Sequence, residues 1–500
     1  MASLRYAVSG LIAVLLLVNT NSGLASPWTN TQDVRLRLAL QQLNDSGVTN
    51  IPMTSWPIHW ANVERSLKSP NIDKTARDLS QSVQTSLRYV HAELAKTRKI
   101  PSRSLKENTQ IGLALGSTTG LFKSYGDNSN QQQDATIEAS THWQNDTVAI
   151  GINVQYLSNA EDHKRFRLDG SYVAMTIDNW GLSLGATNRW WGPGWQSSLI
   201  LSNNARPIPA ITLSRIVSHA PQSAWFSWIG PWHFSSFLGQ LEGSRFIPEA
   251  KLLGLRFSFK PLLSLELGFS RAAQWGGVGR PESLVELGKV LIGKDENVIG
   301  GEGPGNQLGG FDARYSWAMN TLAMAGYGQL IGEDEAGLLP SKYIYLVGLE
   351  VFGIAIDHNF LGLFLEYSDT MSGRIVQNER PNVAYGHSVY QSGYRYNNRA
   401  IGSTYDNDSR SVTLGGVLTN KAGSVWTASI SQLDLNTDNV ASSNQVSKTH
   451  HKLQHVSINW EADILKARLN LGLQWSSTIP NTNLVGADRF GLYASVDYYP

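Results

Sequence analysis

Tryptophan and arginine are concentrated in one short segment whose side chains are suited to sugar binding. Arg189, Trp190, Trp191 and Trp195 lie in the run Asn-Arg-Trp-Trp-Gly-Pro-Gly-Trp, and Arg206 follows it. Flat aromatic rings stack on the C–H faces of sugar rings, and an arginine fork can pair with the carboxylate of a uronic acid. The segment therefore predicts a glycan contact. The alternative is that the same tryptophans only pack the loop against the rest of the fold.

Two later segments repeat this combination of aromatic and basic side chains. Trp275 lies close to Arg271 and Arg280, and the run Tyr-Arg-Tyr-Asn is followed by Arg399. The same two interpretations apply to both segments. The candidate polysaccharide-binding residues are Arg189, Trp190, Trp191, Trp195, Arg206, Trp275, Arg280, Tyr394, Arg395 and Tyr396.

Metal and cofactor chemistry finds little support. The chain has no cysteine. Glu333, Asp334 and Glu335 could hold a divalent cation, although salt bridges to loop arginines fit them better. His451 and His455 would share one face of a strand at a distance of roughly 13 Å, too far apart for one ion. We therefore expect no metal and no cofactor.

Inward-facing carboxylates could form the acid pair of a glycosidase. The candidates are Glu266, Glu366 and Asp497, and the sequence has no Gly-x-Ser-x-Gly elbow. Neutralisation of nearby basic side chains is the simpler role, so we predict a protein that is not an enzyme. These basic side chains are Arg256, Lys260, Lys466 and Arg468.

The elements that must position these residues are strands. From about residue 105 the chain alternates apolar and polar side chains; in Thr147–Tyr156, for example, Val148, Ile150 and Ile152 oppose Gly151 and Asn153. Such alternation places one face of each strand in an apolar medium and the other in a polar one. With roughly eighteen such segments, it predicts an all-β transmembrane barrel of about 18 antiparallel strands.

The connections between the candidate strands alternate in length. Long gaps at 188–210, 271–309 and 370–410 alternate with short turns, and only the gap at 219–224 fits this scheme poorly. Two of the candidate strands are 225–241 and 354–369. Because outer-membrane barrels have short periplasmic turns and long external loops, the long gaps are expected to be extracellular.

The N-terminal part of the chain has a different pattern. Residues 1–25 have a basic residue, an apolar core and a small-x-small cleavage site, which together predict a signal peptide. Residues 26–104 predict a small periplasmic helical bundle, with helices at Thr31–Asp45, Trp60–Leu67 and from about 71 to 98. Residues 105–500 would form the barrel.

Several loop segments have the character of family motifs. They include the tryptophan run at 188–195, Leu-Ser-Asn-Asn-Ala-Arg-Pro at 201–207, the run at 268–277, Tyr-Gly-Gln-Leu-Ile-Gly at 327–332 and Gly-Tyr-Arg-Tyr-Asn-Asn-Arg at 393–399. Together with Ser-Pro-Trp at 26–28, they resemble the capsule assembly protein Wzi family over nearly the whole mature chain. The resemblance implies an eighteen-stranded outer-membrane barrel with a periplasmic helical bundle. It also implies a lectin-like role in binding and organising capsular polysaccharide, but it assigns no individual binding residue.

The predicted protein is thus a cell-surface barrel in the outer membrane that binds capsular or exopolysaccharide. Its other expected partners are outer-membrane lipid and export machinery reached through the periplasmic bundle. A net charge of +1 gives no reason to expect nucleic-acid binding. A porin or polymer export conduit remains an alternative, and an outer-membrane glycan hydrolase is a second one.

Overall fold

The computed structural model describes most of the chain between residues 26 and 499. The described ranges are 26–68, 79–98, 106–117, 120–127, 134–291, 305–319, 321–336, 339–357, 359–373, 379–420, 423–440, 444–482, 484 and 487–499. The signal-peptide prediction for residues 1–25 falls outside these ranges.

The described elements are four α-helices and many antiparallel strands. The helices are α1 (Val34–Asp45), α2 (Trp60–Leu67), α3 (Gln81–Arg98) and α4 (Leu284–Leu291). The strands of the barrel are β2 (Lys106–Gly116), β3 (Asp134–Gln144), β4 (Val148–Leu157), β5 (Phe166–Arg167), β6 (Tyr172–Ile177), β7 (Trp180–Gly185), β9 (Ala210–Arg215), β10 (Trp232–Gln240), β11 (Lys251–Leu262), β12 (Leu265–Trp275), β13 (Gly305–Met319), β14 (Leu322–Ala336), β15 (Leu339–Ile356), β16 (Asn359–Asp369), β19 (Arg410–Thr419), β20 (Val425–Leu435), β21 (His451–Ile464), β22 (Ala467–Ser476) and β23 (Phe490–Tyr498). Four two-residue strands lie outside the barrel wall: β1 (Ser55–Trp56), β8 (Trp190–Trp191), β17 (Arg395–Tyr396) and β18 (Arg399–Ala400).

The barrel closes on itself with 18 strands, which confirms the predicted fold class. Each strand pairs antiparallel with its neighbour, and β2 pairs with β23 to complete the circle. The short strand β5 and strand β6 both pair with β4, so they act as one interrupted strand. A closed sheet has no unpaired edge, which is what a β-structure in lipid requires.

The two faces of the wall follow the alternation of the sequence. In β4, Ile152, Val154 and Tyr156 are exposed on the outside, whereas Asn153 and Gln155 are buried on the inside. In β12, Leu267 and Phe269 face outward, and Glu266 is 3% exposed on the inner face. The apolar side chains therefore form an outer band, and the polar ones line the interior.

The strand candidates at 225–241 and 354–369 were wrong in their bounds. The candidate at 225–241 begins seven residues too early, because the strand is Trp232–Gln240 and residues 227–229 form a 3₁₀ turn. Gly230 has a φ of 68° and Pro231 has no N–H to donate, so the pair ends any strand pattern there. The candidate at 354–369 is divided between β15, which ends at Ile356, and β16, which begins at Asn359.

Long and short connections lie at opposite ends of the barrel, as predicted, except for residues 216–231, a long connection at the end with the short turns. The short turns include residues 178–179, 263–264 and 465–466. The long loops include 186–209, 276–304 and 370–409. We call the described residues of all connections at the end with the long loops the cap, including the loop 158–165 between β4 and β5. The end with the short turns is the periplasmic end by the usual rule for such barrels.

The N-terminal segment 26–67 lies within the barrel rather than below it. Asp33 caps α1 by accepting a hydrogen bond from the backbone N–H of Leu36 at 2.8 Å, so this helix starts three residues after the predicted position. Arg314 of β13 binds Asp45 at the end of α1 at 2.6 Å, and Ser214 of β9 bonds with His59 at 2.9 Å. We call residues 26–67 the plug, because they contact the inner faces of several strands.

The other predicted helices are also present in part. Helix α2 has the predicted bounds Trp60–Leu67. Helix α3 begins at Gln81, and Leu79 and Ser80 before it are not helical, so the prediction of one helix from about residue 71 to residue 98 was wrong at this point. The predicted start near residue 71 falls outside the described residues. Val83, Val90 and Leu94 of α3 pack with α1 in one apolar cluster. None of the described helices combines the length and apolarity that a membrane-crossing helix needs.

Candidate functional site

The tryptophan segment of loop 186–209 folds inward and meets the plug. Trp190 and Trp191 form β8, which pairs antiparallel with Trp56 and Ser55 of the plug. Trp190 is fully buried, with its ring at 5.5 Å from that of Tyr125 in an edge contact. The plug and the cap are therefore joined by a small two-stranded sheet inside the barrel.

Trp195 is enclosed by groups on both of its faces. The Arg37 guanidinium of α1 lies 4.1 Å from the ring centroid, and Phe364 of β16 stacks at 5.7 Å. The indole N–H donates to Glu350 at 2.6 Å, and the backbone N–H donates to Glu366 at 2.8 Å. A ring held in this way presents no free face to a sugar.

Arg37 connects the two halves of this interior. Its guanidinium lies 4.3 Å above the Tyr125 ring and donates to the Pro193 carbonyl at 2.6 Å. Burial lowers the pKa of Arg37 below its usual value. The cation is therefore held mainly by aromatic faces and one carbonyl, a known use of arginine in tight packing.

The arginines predicted to bind sugar carboxylates are already paired with protein groups. Arg395 forms a two-pronged pair with Asp406 at 2.9 and 2.6 Å. Arg206 forms a similar pair with Asp169 at 2.8 Å for both bonds, and it also contacts Asp162. These forks fix the cap, because each links two separate stretches of loop.

Arg189 is also buried. It donates to Thr212 of β9 at 2.7 Å and lies 4.7 Å above the Phe237 ring. Burial lowers its pKa to about 10, so the side chain remains charged at neutral pH.

The remaining predicted residues are also in the body of the cap. Trp275 is buried, and Arg280 lies 5.5 Å from the Tyr390 ring. Tyr394 stacks on Tyr385 at 6.0 Å and donates its hydroxyl hydrogen to the Ile200 carbonyl at 2.9 Å. Tyr396 is 7% exposed.

The three sequence segments are thus brought together, but as a packed unit. The Tyr394–Ile200 bond joins two of them, and the side-chain amide of Gln274 beside Trp275 donates to the Gly393 carbonyl at 3.2 Å. Whether any of the ten candidates touches glycan stays a prediction. In this structure Arg189, Trp190, Trp191, Trp195, Arg206, Arg280, Tyr394 and Arg395 contact protein groups, and Trp275 and Tyr396 are buried.

A polar cavity of about 360 Å³ lies beside this packed unit, and Tyr125, Trp195 and Phe364 line part of it. Its wall is built from inward-facing residues of β2–β4 and β20–β23, and the plug forms its other side. The polar side chains of this wall include Glu138, Ser140, Asn153, Gln155, Ser429, Asn459, Asn470, Ser495 and Asp497. Amides, hydroxyls and carboxylates of this kind can bind water or neutral sugar hydroxyls.

Acidic side chains outnumber basic ones in the lining of this cavity. Its described acidic side chains are Asp33, Glu93, Asp127, Glu138, Asp169, Glu461 and Asp497, whereas its basic side chains are Arg35 and Arg468. The side-chain oxygens of Asn153 and Asn470 are buried there without a hydrogen-bond partner among the described residues. The cavity therefore offers free acceptors and an unfavourable field for an anionic polymer.

The other sequence candidates have structural surroundings. The side chain of Glu333 accepts from the backbone N–H of Tyr385 at 2.5 Å. His450 bonds with Asp434 at 2.6 Å, whereas His455 is buried and bonds with Ser476 at 3.0 Å. Within the described residues no group of three or more metal-binding side chains converges.

Sequence reasoning missed the groups that close the interior. Arg37 and Tyr125 were not candidates, although they enclose the tryptophan loop. The sequence signal for Arg37 was weak: an arginine directly flanked by Leu36 and Leu38. The carboxylates Glu266 and Glu366 were noticed, but their partners lie more than a hundred residues away in sequence.

Comparison with known proteins agrees with this architecture. The family model described as capsule assembly protein Wzi matches residues 105–488. The chain belongs to the capsule assembly protein Wzi family. As a barrel of this family, it is an outer-membrane protein.

Two proteins similar to this chain extend the comparison. The Escherichia coli structure described as Wzi, an outer membrane protein involved in group 1 capsule assembly and a carbohydrate-binding β-barrel, is 27% identical. It has a TM-score of 0.79 and covers 94% of this chain and 99% of its own. An uncharacterized 55.8 kDa protein in the cps region of Klebsiella pneumoniae is 32% identical over 321 residues. That match spans 64% of this chain and 60% of the relative.

More distant barrels resemble the chain weakly. Pseudomonas aeruginosa OccK5 (OpdH) is 8% identical, with a TM-score of 0.41, and covers 79% of this chain and 98% of its own.

Proposed function

We propose that the chain is an outer-membrane lectin that binds capsular polysaccharide and helps to attach or organise it at the cell surface. The observation that carries this proposal is the filled interior in a member of the Wzi family: the plug and the cap meet inside the barrel through β1 and β8. A barrel whose interior is filled leaves little room for transport, so it suits a surface receptor better than a channel. The described carbohydrate binding of the Escherichia coli relative supports the same role.

We place the polysaccharide contacts on the exposed surface of the cap. Lys164 and Arg165 are exposed in the loop between β4 and β5. The neighbouring Asp162 is engaged by Arg167 at 2.8 Å and by Arg206, so it does not neutralise them fully. Exposed cations can pair with an acidic polymer, each weakly, and a repeating polymer that meets many copies gains avidity.

The ten aromatic and arginine candidates then act by positioning this surface. Their rings and forks hold the long loops against one another, so the exposed residues keep a fixed arrangement. Direct contact of these ten with sugar would require the cap to open.

The non-enzymatic part of the proposal is supported by the roles of two carboxylates. Glu266 accepts from the backbone N–H groups of Met53 and Thr54 at 2.8 Å each. Glu366 accepts from the backbone of Trp195 at 2.8 Å and Ser197 at 3.0 Å. Carboxylates occupied by backbone donors are poorly placed to transfer protons to a substrate.

A porin or export conduit is the second candidate, because the cavity of about 360 Å³ leaves space beside the plug. Its acidic lining would oppose the passage of an anionic polymer. Planar-bilayer recordings separate the two: a lectin with this interior gives almost no conductance, whereas a conduit gives stable open channels. Contact of the N-terminal segment with export machinery stays a prediction.

The decisive experiment is deletion in the native host, with capsule measured in cell-bound and released fractions. We expect normal total polymer with a shift to the released fraction. Polymer retained in the periplasm would favour the conduit, and no change would contradict the capsule role in this host. Complementation with Lys164→Gln plus Arg165→Gln should restore attachment only in part.

A matched control tests whether position matters. Lys466 is exposed in the short turn between β21 and β22, at the periplasmic end. Lys466→Gln removes one positive charge without changing the cap, so attachment should be normal. Equal losses from the cap and control variants would contradict a contact surface on the cap.

A further inference from the structure

One connection at the periplasmic end differs from its neighbours. The turns there are short, such as 263–264 and 465–466, whereas residues 216–231 form a long loop between β9 and β10. The loop is attached to the wall, because the Lys260 N–H donates to the Pro231 carbonyl at 2.9 Å. We call residues 216–231 the aromatic loop.

The tip of the aromatic loop exposes large apolar side chains. Trp225 is 86% exposed, Phe226 57% and Trp228 62%. From residue 220 to residue 231 the sequence has no charged side chain. Three adjacent exposed rings of this kind mark an interaction surface.

The exposed rings continue the outer, lipid-facing side of the wall. Trp228 lies edge-on against Phe259 at 6.1 Å, and Phe259 is directly opposite Trp232 in the pairing of β10 with β11. Phe259 is on the opposite face from the inward residues Arg256 and Ser258. Trp228 therefore packs on the outside of the barrel, at its lower edge.

More rings and apolar residues extend the same surface. Phe259 stacks on Phe269 at 6.3 Å, and Trp232 lies 5.8 Å from Phe257. The adjacent turn exposes Leu262 and Leu263. The aromatic loop thus lies beside an unbroken apolar outer surface.

We propose that the aromatic loop is a lipid anchor whose rings insert into the headgroup boundary of the periplasmic leaflet. Tryptophan favours this depth, because its ring is apolar and its N–H can still bond to water or headgroups. The absence of charge and the continuity with the outer face favour phospholipid over a periplasmic protein. Such an anchor sets the depth and tilt of the barrel, independently of any sugar binding by the cap.

The absence of cysteine from the chain gives a direct test by site-directed spin labelling. Trp225→Cys and Phe226→Cys are each labelled with a nitroxide, and the refolded full-length protein is placed in phosphatidylethanolamine–phosphatidylglycerol vesicles. Leu213→Cys on the outer face of β9 is the lipid control. Asp146→Cys, in the exposed turn after β3, is the water control.

The measurement is the collision rate of each label with oxygen, which partitions into lipid, relative to a water-soluble nickel chelate. We expect the ratio at 225 and 226 to exceed that at 146 several-fold and to approach that at 213. A ratio at both sites equal to that at 146 would overturn the proposal. So would labels accessible to nickel in vesicles but protected in native outer membranes, which would indicate a protein partner. Two label sites, each checked for the folded state by gel mobility, keep the test valid if one variant fails to fold.

Discussion

Replacing Glu266 with alanine should release the plug from the barrel wall. In the native protein one carboxylate accepts hydrogen bonds from the N–H of Met53, the N–H of Thr54 and the hydroxyl of Thr54, at 2.8, 2.8 and 2.6 Å. All of these groups are buried. The Arg256 guanidinium of β11 donates to the Thr54 carbonyl at 2.9 Å. Residues 53–54 of the plug are therefore bound by both β11 and β12.

The magnitude follows from what the truncation leaves behind. Glu266→Ala leaves three buried donors without an acceptor, and removing one partner from a buried charged network costs ~3–5 kcal/mol. At about 1.4 kcal/mol for each factor of ten, the local opening equilibrium of the plug should rise by roughly two to three and a half orders of magnitude. The barrel wall itself should remain folded, because its strands are held by their own ladder.

The assay is hydrogen exchange at the backbone amides of Met53 and Thr54, which are the donors themselves. We expect their protection to fall by the stated factor, and single-channel conductance to rise as the interior opens. Glu266→Gln keeps one acceptor oxygen and should lose less protection. Glu249→Ala, at an exposed loop position, serves as the control. Unchanged exchange at both amides in a folded Glu266→Ala barrel would refute the assignment of Glu266 as the clamp of the plug.

Three further predictions concern the cap. Arg395→Ala leaves Asp406 as an unpaired buried carboxylate and should cost ~3–5 kcal/mol of cap stability, measured by hydrogen exchange of residues 399–409; protection equal to wild type would contradict the pairing. Burial raises the pKa of Asp408 to about 7, so the folded cap holds a proton that the unfolded chain has lost. The resulting contribution to the free energy of unfolding, up to ~4 kcal/mol, is fully present below pH 4 and is lost as the pH rises to 7. Hydrogen-exchange protection of the cap, corrected for intrinsic exchange rates, should therefore be greater at pH 5 than at pH 8. Asp408→Asn should remove this difference. Trp195→Ala removes the ring between Arg37 and Phe364 and should lower the free energy of unfolding by ~3–5 kcal/mol. The affinity of the folded protein for polysaccharide should stay unchanged. Lost affinity at normal stability would show direct sugar contact instead.

The wall of the barrel could be predicted because lipid and lumen impose a strict twofold period on every strand. The sequence alone predicts that Val154 faces lipid and Asn153 faces the lumen, because exchanging the two faces would place the polar side chain of Asn153 in lipid. The aromatic loop was misassigned for a related reason: its exposed rings give the same apolar signal as a lipid-facing strand, and only Gly230 and Pro231 indicate the break.

The interior of the cap was beyond the reach of sequence patterns. A tryptophan that stacks on sugar and one that stacks on Phe364 have the same local sequence, and the partner lies far along the chain. The same holds for Arg395, whose type suits a sugar carboxylate and Asp406 equally well. Partners that are distant in sequence decide between these roles, and the local residue pattern gives no information about those partners.

The seam between β2 and β23 has a consequence for how the molecule is assembled. These strands are the first and last of the wall, so their pairing joins the two most distant parts of the barrel and closes the largest loop in the chain. The plug precedes β2 in sequence, with α3 between them, and it is enclosed by the finished wall. Because the wall leaves no open edge once the seam has formed, insertion of the plug and closure of the seam are coupled events. A substitution that slows the folding of the plug would therefore also slow the pairing of β2 with β23, although these strands are distant from the substituted residue.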